Sequence, residues 1–309
     1  FLSVNFCAFR IMEDYPDITA LFGPVFALAV IVEYTAIRLN YARGKYELRD
    51  AFASMSMGVG NLIVGALTAF ALTWLMMSLW PYRVMTINSN AYSFILVFIA
   101  YDFVYYWKHR LAHRVRWFWM EHVTHHSSQH YNLSTALRQP WFGPFTGLVA
   151  LGLPLVILGF NPGLIILVAG INLIYQFWIH TESIDRMPAW FEAIFNTPSH
   201  HRVHHAINPR YLDANYAGVF IVWDKMFGTF VAERQDEPPV YGIVKPLESF
   251  NLLVIAFHEA VSLISDCIND GVKPVNWLRR MINPPGWDPA GKHQRTEDIK
   301  RDWAKRRKT

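Results

Sequence analysis

The sequence predicts an all-α integral membrane protein with a helical cap on one side of the bilayer, and three observations predict it. Hydrophobic residues make up 53% of the 309-residue chain and charged residues only 17%, a balance unlike that of soluble domains, so lipid is the expected solvent. About four stretches are long and apolar enough to cross roughly 30 Å of hydrocarbon. Eight histidines fall into three compact blocks just outside those stretches.

The first apolar stretch covers residues 18–38, the second 58–80 and the third 90–107. A fourth, 145–180, is broken by Gly159-Phe-Asn-Pro-Gly163 and reads as a hairpin, counting as one element or as two short spans. Loop charge orients them: Arg38, Arg43, Lys45 and Arg49 follow the first stretch and Lys108, Arg110, Arg114 and Arg116 the third, whereas the 81–89 loop holds only Arg83. The basic side is therefore expected to be cytoplasmic, in a bacterial inner membrane or the endoplasmic reticulum, with the N-terminus outside. All histidine blocks, and everything after residue 180, then fall on the cytoplasmic face. Phe220-Ile-Val-Trp223 is too short to span, and Leu252 to Ile264, with His258 and Glu259, suits an interfacial amphipathic helix. The pairs Pro238-Pro239 and Pro284-Pro285 mark turns. Residues 291–309 end in Lys305-Arg-Arg-Lys308 and read as a solvated basic tail near anionic headgroups, too short to argue for a nucleic-acid partner. The chain opens on Phe1 rather than Met and reads as a piece of a longer protein. Cys7 and Cys267 lie far apart without CxxC spacing, which leaves histidine to hold any metal.

The blocks are His109-Arg-Leu-Ala-His113, His122-Val-Thr-His125-His126 and His201-Arg-Val-His204-His205. Residues three or four apart share one face of a helix, so each block presents two or three imidazoles in one direction. An isolated histidine is usually a hydrogen-bonded core or interfacial residue. Eight of them where membrane meets water give no packing benefit that Leu or Trp would not, whereas neutral imidazole binds iron, copper and zinc well. The HExxH signature is absent, eight nitrogens exceed what one zinc accepts, and no Glu has His three residues later as in the carboxylate di-iron bundles. What remains is a histidine-rich centre of two iron ions, of the kind that uses dioxygen on lipids.

His180 ends the hairpin on the same membrane face as the blocks and is expected as a ninth ligand. His200 points about 100° from His201 and is expected behind the ligands. Asp102 lies two turns before His109 on the same face, where it either bonds an imidazole from behind or serves packing. Asn132, Asp213 and Asn215 lie near the blocks and read as further partners for second imidazole nitrogens, or equally as turn and cap residues. His130, His258 and His293 have surface or interfacial readings.

The order of the blocks is joined by several longer strings: His125-His-Ser-Ser128, Tyr131-Asn-Leu-Ser-Thr-Ala-Leu-Arg-Gln139, Tyr175-Gln-Phe-Trp-Ile-His-Thr-Glu182, Asn196-Thr-Pro-Ser-His-His-Arg-Val-His-His205 and Asn215-Tyr-Ala-Gly218 through Trp223-Asp-Lys-Met-Phe-Gly-Thr229. Together they resemble the fatty acid hydroxylase and sterol desaturase superfamily of membrane di-iron oxygenases, and within it the members that cleave ether lipids. The likeness implies N-terminal transmembrane helices over 1–89, a catalytic domain over 90–290 and the tail over 291–309. It implies that His109, His113, His122, His125, His126, His201, His204 and His205 bind the irons and that dioxygen is the co-substrate. It also implies that electrons come from tetrahydrobiopterin or an external redox carrier, and the chain has no Gly-rich dinucleotide fingerprint of its own. One position departs from the ether-lipid pattern: Arg114 stands where a glutamate is expected after the second histidine, as in bacterial sterol-desaturase-like members.

An alkyl C–H bond is too strong for acid–base catalysis, so bound metals must supply the oxidant. The leading expectation is a lipid hydroxylase whose substrate enters sideways from the bilayer and whose reactive carbon sits at headgroup level. Next to an ether oxygen, hydroxylation would release an aldehyde and glycerol. Sterol or carotenoid desaturation or hydroxylation is the runner-up, with the same metals and a different pocket. A histidine-rich metal transporter would string its ligands through mid-membrane depth, and their clustering at one face argues against it.

Overall fold

The computed structural model describes residues 15, 16 and 18–307; Cys7, the outward N-terminus and Lys308 of the basic tail lie outside the described residues. Regular structure among the described residues is helical, with isolated bridges such as Phe195 with Phe220 and no strand.

Helices α1 (Ile18–Arg38) and α2 (Leu48–Leu79) explain the apolar composition. Their windows Leu21–Arg38 and Leu48–Tyr82 are long and apolar enough to cross a membrane, yet only 11% and 6% of these windows are buried within the protein. Side chains such as Leu28, Ile31, Leu62, Leu67 and Phe70 face outward, an apolar surface that suits lipid and not water. The chain is a multi-pass integral membrane protein. Helix α2 begins ten residues before the expected stretch, because Glu47 caps it by accepting from the Asp50 amide and because residues in its first turns are buried.

Helix α3 (Ala91–Arg114) starts on an Asn90 capping box with Ser93 and contains the expected third span. It ends at Val115, whose extended backbone (φ −126°, ψ 117°) is also the entry to α4 (Arg116–His126). A β-branched residue favours that extended conformation. The one-residue turn folds α4 back on α3, so the first two histidine blocks face each other. The 145–180 hairpin is present as a 3₁₀ turn, Leu148–Gly152, a short helix, Leu153–Leu158, and α5 (Pro162–Trp178). Gly159 makes the break at φ +106°, with the Met85 carbonyl oxygen where a Cβ would stand. Asn161 then caps α5 and Pro162 occupies its first position. The core, including Met76, Val97, Val156, Phe160, Ile165 and Val168, lies between α2, α3 and the hairpin.

Further along the chain lie α6 (Pro198–His204), α7 (Leu252–Asn269), α8 (Pro274–Ile282) and α9 (Thr296–Arg306). Two expectations change here. Helix α7, expected to lie in the interface, is the third helix long and apolar enough to cross, whereas α3, carrying Tyr101, Asp102, Tyr105 and Tyr106, is not among the three. Glu259 and Asp266 of α7 are polar for a local reason: they accept from buried Arg116 at 2.7 and 2.6 Å. The tail is ordered as well. Arg295 and Asp298 form a capping pair at 2.8 Å, Glu297 pairs with Arg114, and Arg210 lies over the Trp303 ring at 5.2 Å.

Buried polar contacts fasten α1 and α2 to the segments around the histidine blocks. Glu33 of α1 accepts from Tyr46 Oη and from the Leu133 amide, and pairs with Thr181 Oγ1. Arg138, 1% exposed, donates to Asp50 at 2.8 Å and to Ser127 Oγ at 2.9 Å, tying α2 to the segment after the second block. Replacing Asp50 by Ala leaves a buried guanidinium without its partner, so Asp50→Ala should destabilise the fold by about 3–5 kcal/mol. Thermal unfolding in detergent measures it, and Asp50→Ala with Arg138→Met should recover part of the loss.

Candidate metal centre

Nine imidazoles converge in two adjoining sets. His109 and His113 of α3, His122 and His126 of α4 and His204 of α6 form the first; His125, His180, His201 and His205 form the second. Within each set the ligand atoms lie within 4.8 Å of one another. Helical geometry makes the division. His122 and His126 are one turn apart on one face of α4, whereas His125 is rotated about 100° from His126 and meets His180, which follows α5. The His126 and His205 rings stack at 4.4 Å and join the two sets.

Hydrogen bonds from behind fix which nitrogen faces inward. Carbonyl oxygens only accept, so Nδ1–H donates from His109 to Tyr216 at 2.8 Å, from His204 to Ala214 at 2.9 Å and from His180 to Gln176 at 2.7 Å. His113 Nδ1 lies 3.2 Å from Asp213 Oδ1. The Nε2 lone pairs of these rings therefore point into the sets. His109 Nε2 lies 2.8 Å from His122 Nε2, and His180 Nε2 lies 3.1 Å from that of His125 and 3.0 Å from that of His201. His113 Nε2 and His204 Nε2 are buried with no hydrogen-bond partner. Converging lone pairs and orphaned buried nitrogens repel one another and are satisfied by a cation, so the residues present fit a metal in each set.

Burial, with the neighbouring imidazoles, holds His122, His125, His126, His201, His204 and His205 well below the ordinary histidine range, and burial brings His180 down to about 4. All are neutral at pH 7, the form that binds metal. Burial alone would raise the Asp213 carboxyl, but His113, Thr296 and Arg114 outweigh it and keep the group below its usual range. Arg114, the departure from the ether-lipid pattern, thus has a visible place: it lies 3.3 Å from Asp213 and pairs with Glu297.

The structure brings together all nine histidines expected as ligands, and Asp213 stands behind one of them. The other expected supports do not touch an imidazole ring. Asp102 instead accepts from the amides of Val219 and Phe220 at 2.8 and 3.0 Å, from Trp223 Nε1 and from Asn172 Nδ2. Asn132 caps the short helix Leu133–Ala136 and donates to the Lys45 carbonyl. Asn215 pairs with Val231 and donates to the His200 carbonyl, while the His200 ring packs edge-on against Phe230 outside both sets. Asp213 and Asn215 adopt φ of 52° and 57°, a left-handed turn that short polar side chains tolerate. Sequence reasoning missed the carbonyls of Tyr216, Ala214 and Gln176, because a backbone acceptor leaves no mark in residue type. It also missed Asp224, which holds that loop through the amides of Tyr216 and Ala217 at 2.8 Å each.

Residues 94–229, which contain every one of these histidines, match the family model of the fatty acid hydroxylases. This match covers under half of the 309-residue chain. The chain is 38% identical over 291 residues to alkylglycerol monooxygenase of Homo sapiens, covering 92% of this chain and 63% of that protein. It is 35% identical to the Xenopus tropicalis protein of the same name, over 93% of this chain and 63% of the relative, and 34% identical to that of Caenorhabditis elegans, over 90% and 57%. The chain thus spans less than two thirds of the length of these relatives. No solved structure matches it.

Two outcomes are expected from these sets. His204→Ala and His125→Ala, each in a different set, should each lower bound metal from two ions per chain to one, read by elemental analysis, while His293→Ala, stacked on Trp287 away from both sets, keeps both ions. Asp213→Ala removes the partner of His113 and should weaken the first set by about 10–100-fold, leaving the second nearly unchanged in a chelator competition.

Proposed function

We propose that this chain is a membrane lipid monooxygenase that hydroxylates an alkyl C–H bond with dioxygen, and that alkylglycerol ethers are its substrate class. The observation that carries the proposal is the pair of all-imidazole sets, oriented from behind and lying inside the residues that match the fatty acid hydroxylase family. The relatives named alkylglycerol monooxygenase support the choice of substrate.

The first set would hold one iron and the second set the other. Two irons there would activate dioxygen, the oxidant, toward an unactivated C–H bond. The protein's own part is to hold nine rings together, orient them from behind and exclude water. In the balanced reaction one oxygen atom enters the C–H bond and the other leaves as water, with two electrons and two protons from a donor. Beside an ether oxygen the hydroxylated product is a hemiacetal, which divides into an aldehyde and glycerol. Tetrahydrobiopterin or a separate carrier protein would supply the electrons. The basic residues Arg38, Arg43, Lys45 and Arg49 support a cytoplasmic active site.

The test is aldehyde release from an alkylglycerol in membranes that hold the iron-loaded protein, given tetrahydrobiopterin in one arm and a reductase with its carrier in the other. Release in the first arm is the expected result. Release only in the second would transfer the donor role to the carrier, and conversion of sterols with alkylglycerols untouched in both would overturn the substrate.

A further inference from the structure

A cavity of about 90 Å³ lies beside the metal centre within the apolar layer. One face of α3 lines it with Tyr101, Tyr105 and Lys108, α2 contributes Met76, and the hairpin contributes Gly152 and Ala169. Positions 101, 105 and 108 follow one another along a single helix face, so the lining runs for about 10 Å at the helical rise. Its far end reaches Lys108, and the next residue is His109; the Tyr105 ring lies 5.5 Å from the His109 ring. Lys108 is the one charged residue in an otherwise mostly apolar lining. His122, which faces His109, is the one histidine of the nine that is only partly buried.

Resting on the function proposed above, we infer that this cavity takes the alkyl chain of a single-chain lipid, with Lys108 at the chain's oxygen-bearing end. An ammonium group donates hydrogen bonds and accepts none, which suits ether and hydroxyl oxygens. The apolar walls suit methylene groups, and the chain's first carbons then lie beside His109 and His122. A second cavity of about 350 Å³, between α4, α7 and α8, is lined by Trp117, Met120, Leu263 and Trp277 among other apolar residues and has no charged group to orient a polar end.

Gly152 makes the assignment testable. Its backbone is ordinary (φ −80°), and a Cβ there would meet no atom within 4 Å, so Gly152→Phe fills space without displacing the main chain. The experiment uses the metal-loaded full chain in nanodiscs with an alkylglycerol that bears a diazirine midway along its chain, and maps the cross-links by mass spectrometry. Cross-links are expected on peptides holding Leu72 and Met76 or Ile165 and Ala169, and they should disappear in Gly152→Phe at unchanged metal content. The kcat/KM ratio of long-chain to short-chain alkylglycerol should fall at least about tenfold in that variant. Cross-links on Trp117 or Leu263, or an unchanged ratio in the metal-loaded variant, would overturn the assignment. Labelling of the first cavity without any aldehyde release would leave the chain site standing and remove the proposed reaction, whereas aldehyde release with labelling elsewhere would do the reverse.

Discussion

The site answers to one electrostatic constraint: nine imidazoles, eight of them buried, with their lone pairs turned toward common points. Nitrogen atoms of the first set approach to 2.8 Å and those of the second to 3.0 Å. Without protons between them such groups repel, and burial has removed the option of relieving the repulsion by protonation or by water. A cation resolves it only if the rings stay where they are when the ion is absent, so each ring needs a hold on its outer nitrogen or a packed neighbour. The one-residue turn at Val115, the hairpin that returns His180, and the loop after α6 all serve that requirement.

The loop over residues 213–224 is the common support. It presents Asp213 to His113, the Ala214 carbonyl to His204 and the Tyr216 carbonyl to His109, three holds from four consecutive residues. Two carboxylates fasten it in turn, Asp224 at Tyr216 and Ala217 and Asp102 at Val219 and Phe220. Between those anchors lies Gly218, where a Cβ would come within 2.8–2.9 Å of Tyr105, Asn172 and Asp102. Only glycine lets the loop settle that closely on α3 and α5. The chain of contacts continues from Asp102 through Asn172 and Gln176 to Tyr105, and the Gln176 carbonyl is the hold on His180. A polar network inside an apolar layer is costly unless every member is paired, and here it links the supports of both sets.

The grouping of the histidines was legible in the sequence because helical periodicity sets which of them share a face. His125 and His126 are adjacent yet belong to different sets, which the 100° step between neighbours already implies. His180 was legible from topology, since a hairpin returns to the side it left. The supports were legible only where they are side chains: Asp213 was found, whereas the carbonyls behind His109, His204 and His180 could not be. Asp102 was recognised as a costly carboxylate at membrane depth, but spacing alone could not tell that its partners would be backbone amides from 117 residues away. The C-terminal helix was missed because its basic residues read as a solvated tail, while the contacts that order it, Glu297 with Arg114 and Trp303 with Arg210, reach residues distant in sequence.

Carboxylates stand outside the ligand sets, and their placement is uneven. In carboxylate-ligated bundles the acidic groups touch the metals and offset their charge directly. Here the first set has Asp213 behind His113, a carboxylate that stays ionised and reaches the set through one ring. Arg114 then shares that carboxylate and moderates its field. For the second set, the hold on His180 is a neutral carbonyl, and among the described residues no carboxylate is hydrogen-bonded to a ring of that set. A carboxylate behind an imidazole raises the basicity of the ring more than a carbonyl does, so the two sets are unlike as ligands even though both consist of histidine alone. The set with the stronger donor is also the one with the partly exposed His122. The asymmetry of charge and the asymmetry of burial therefore fall on the same side of the centre.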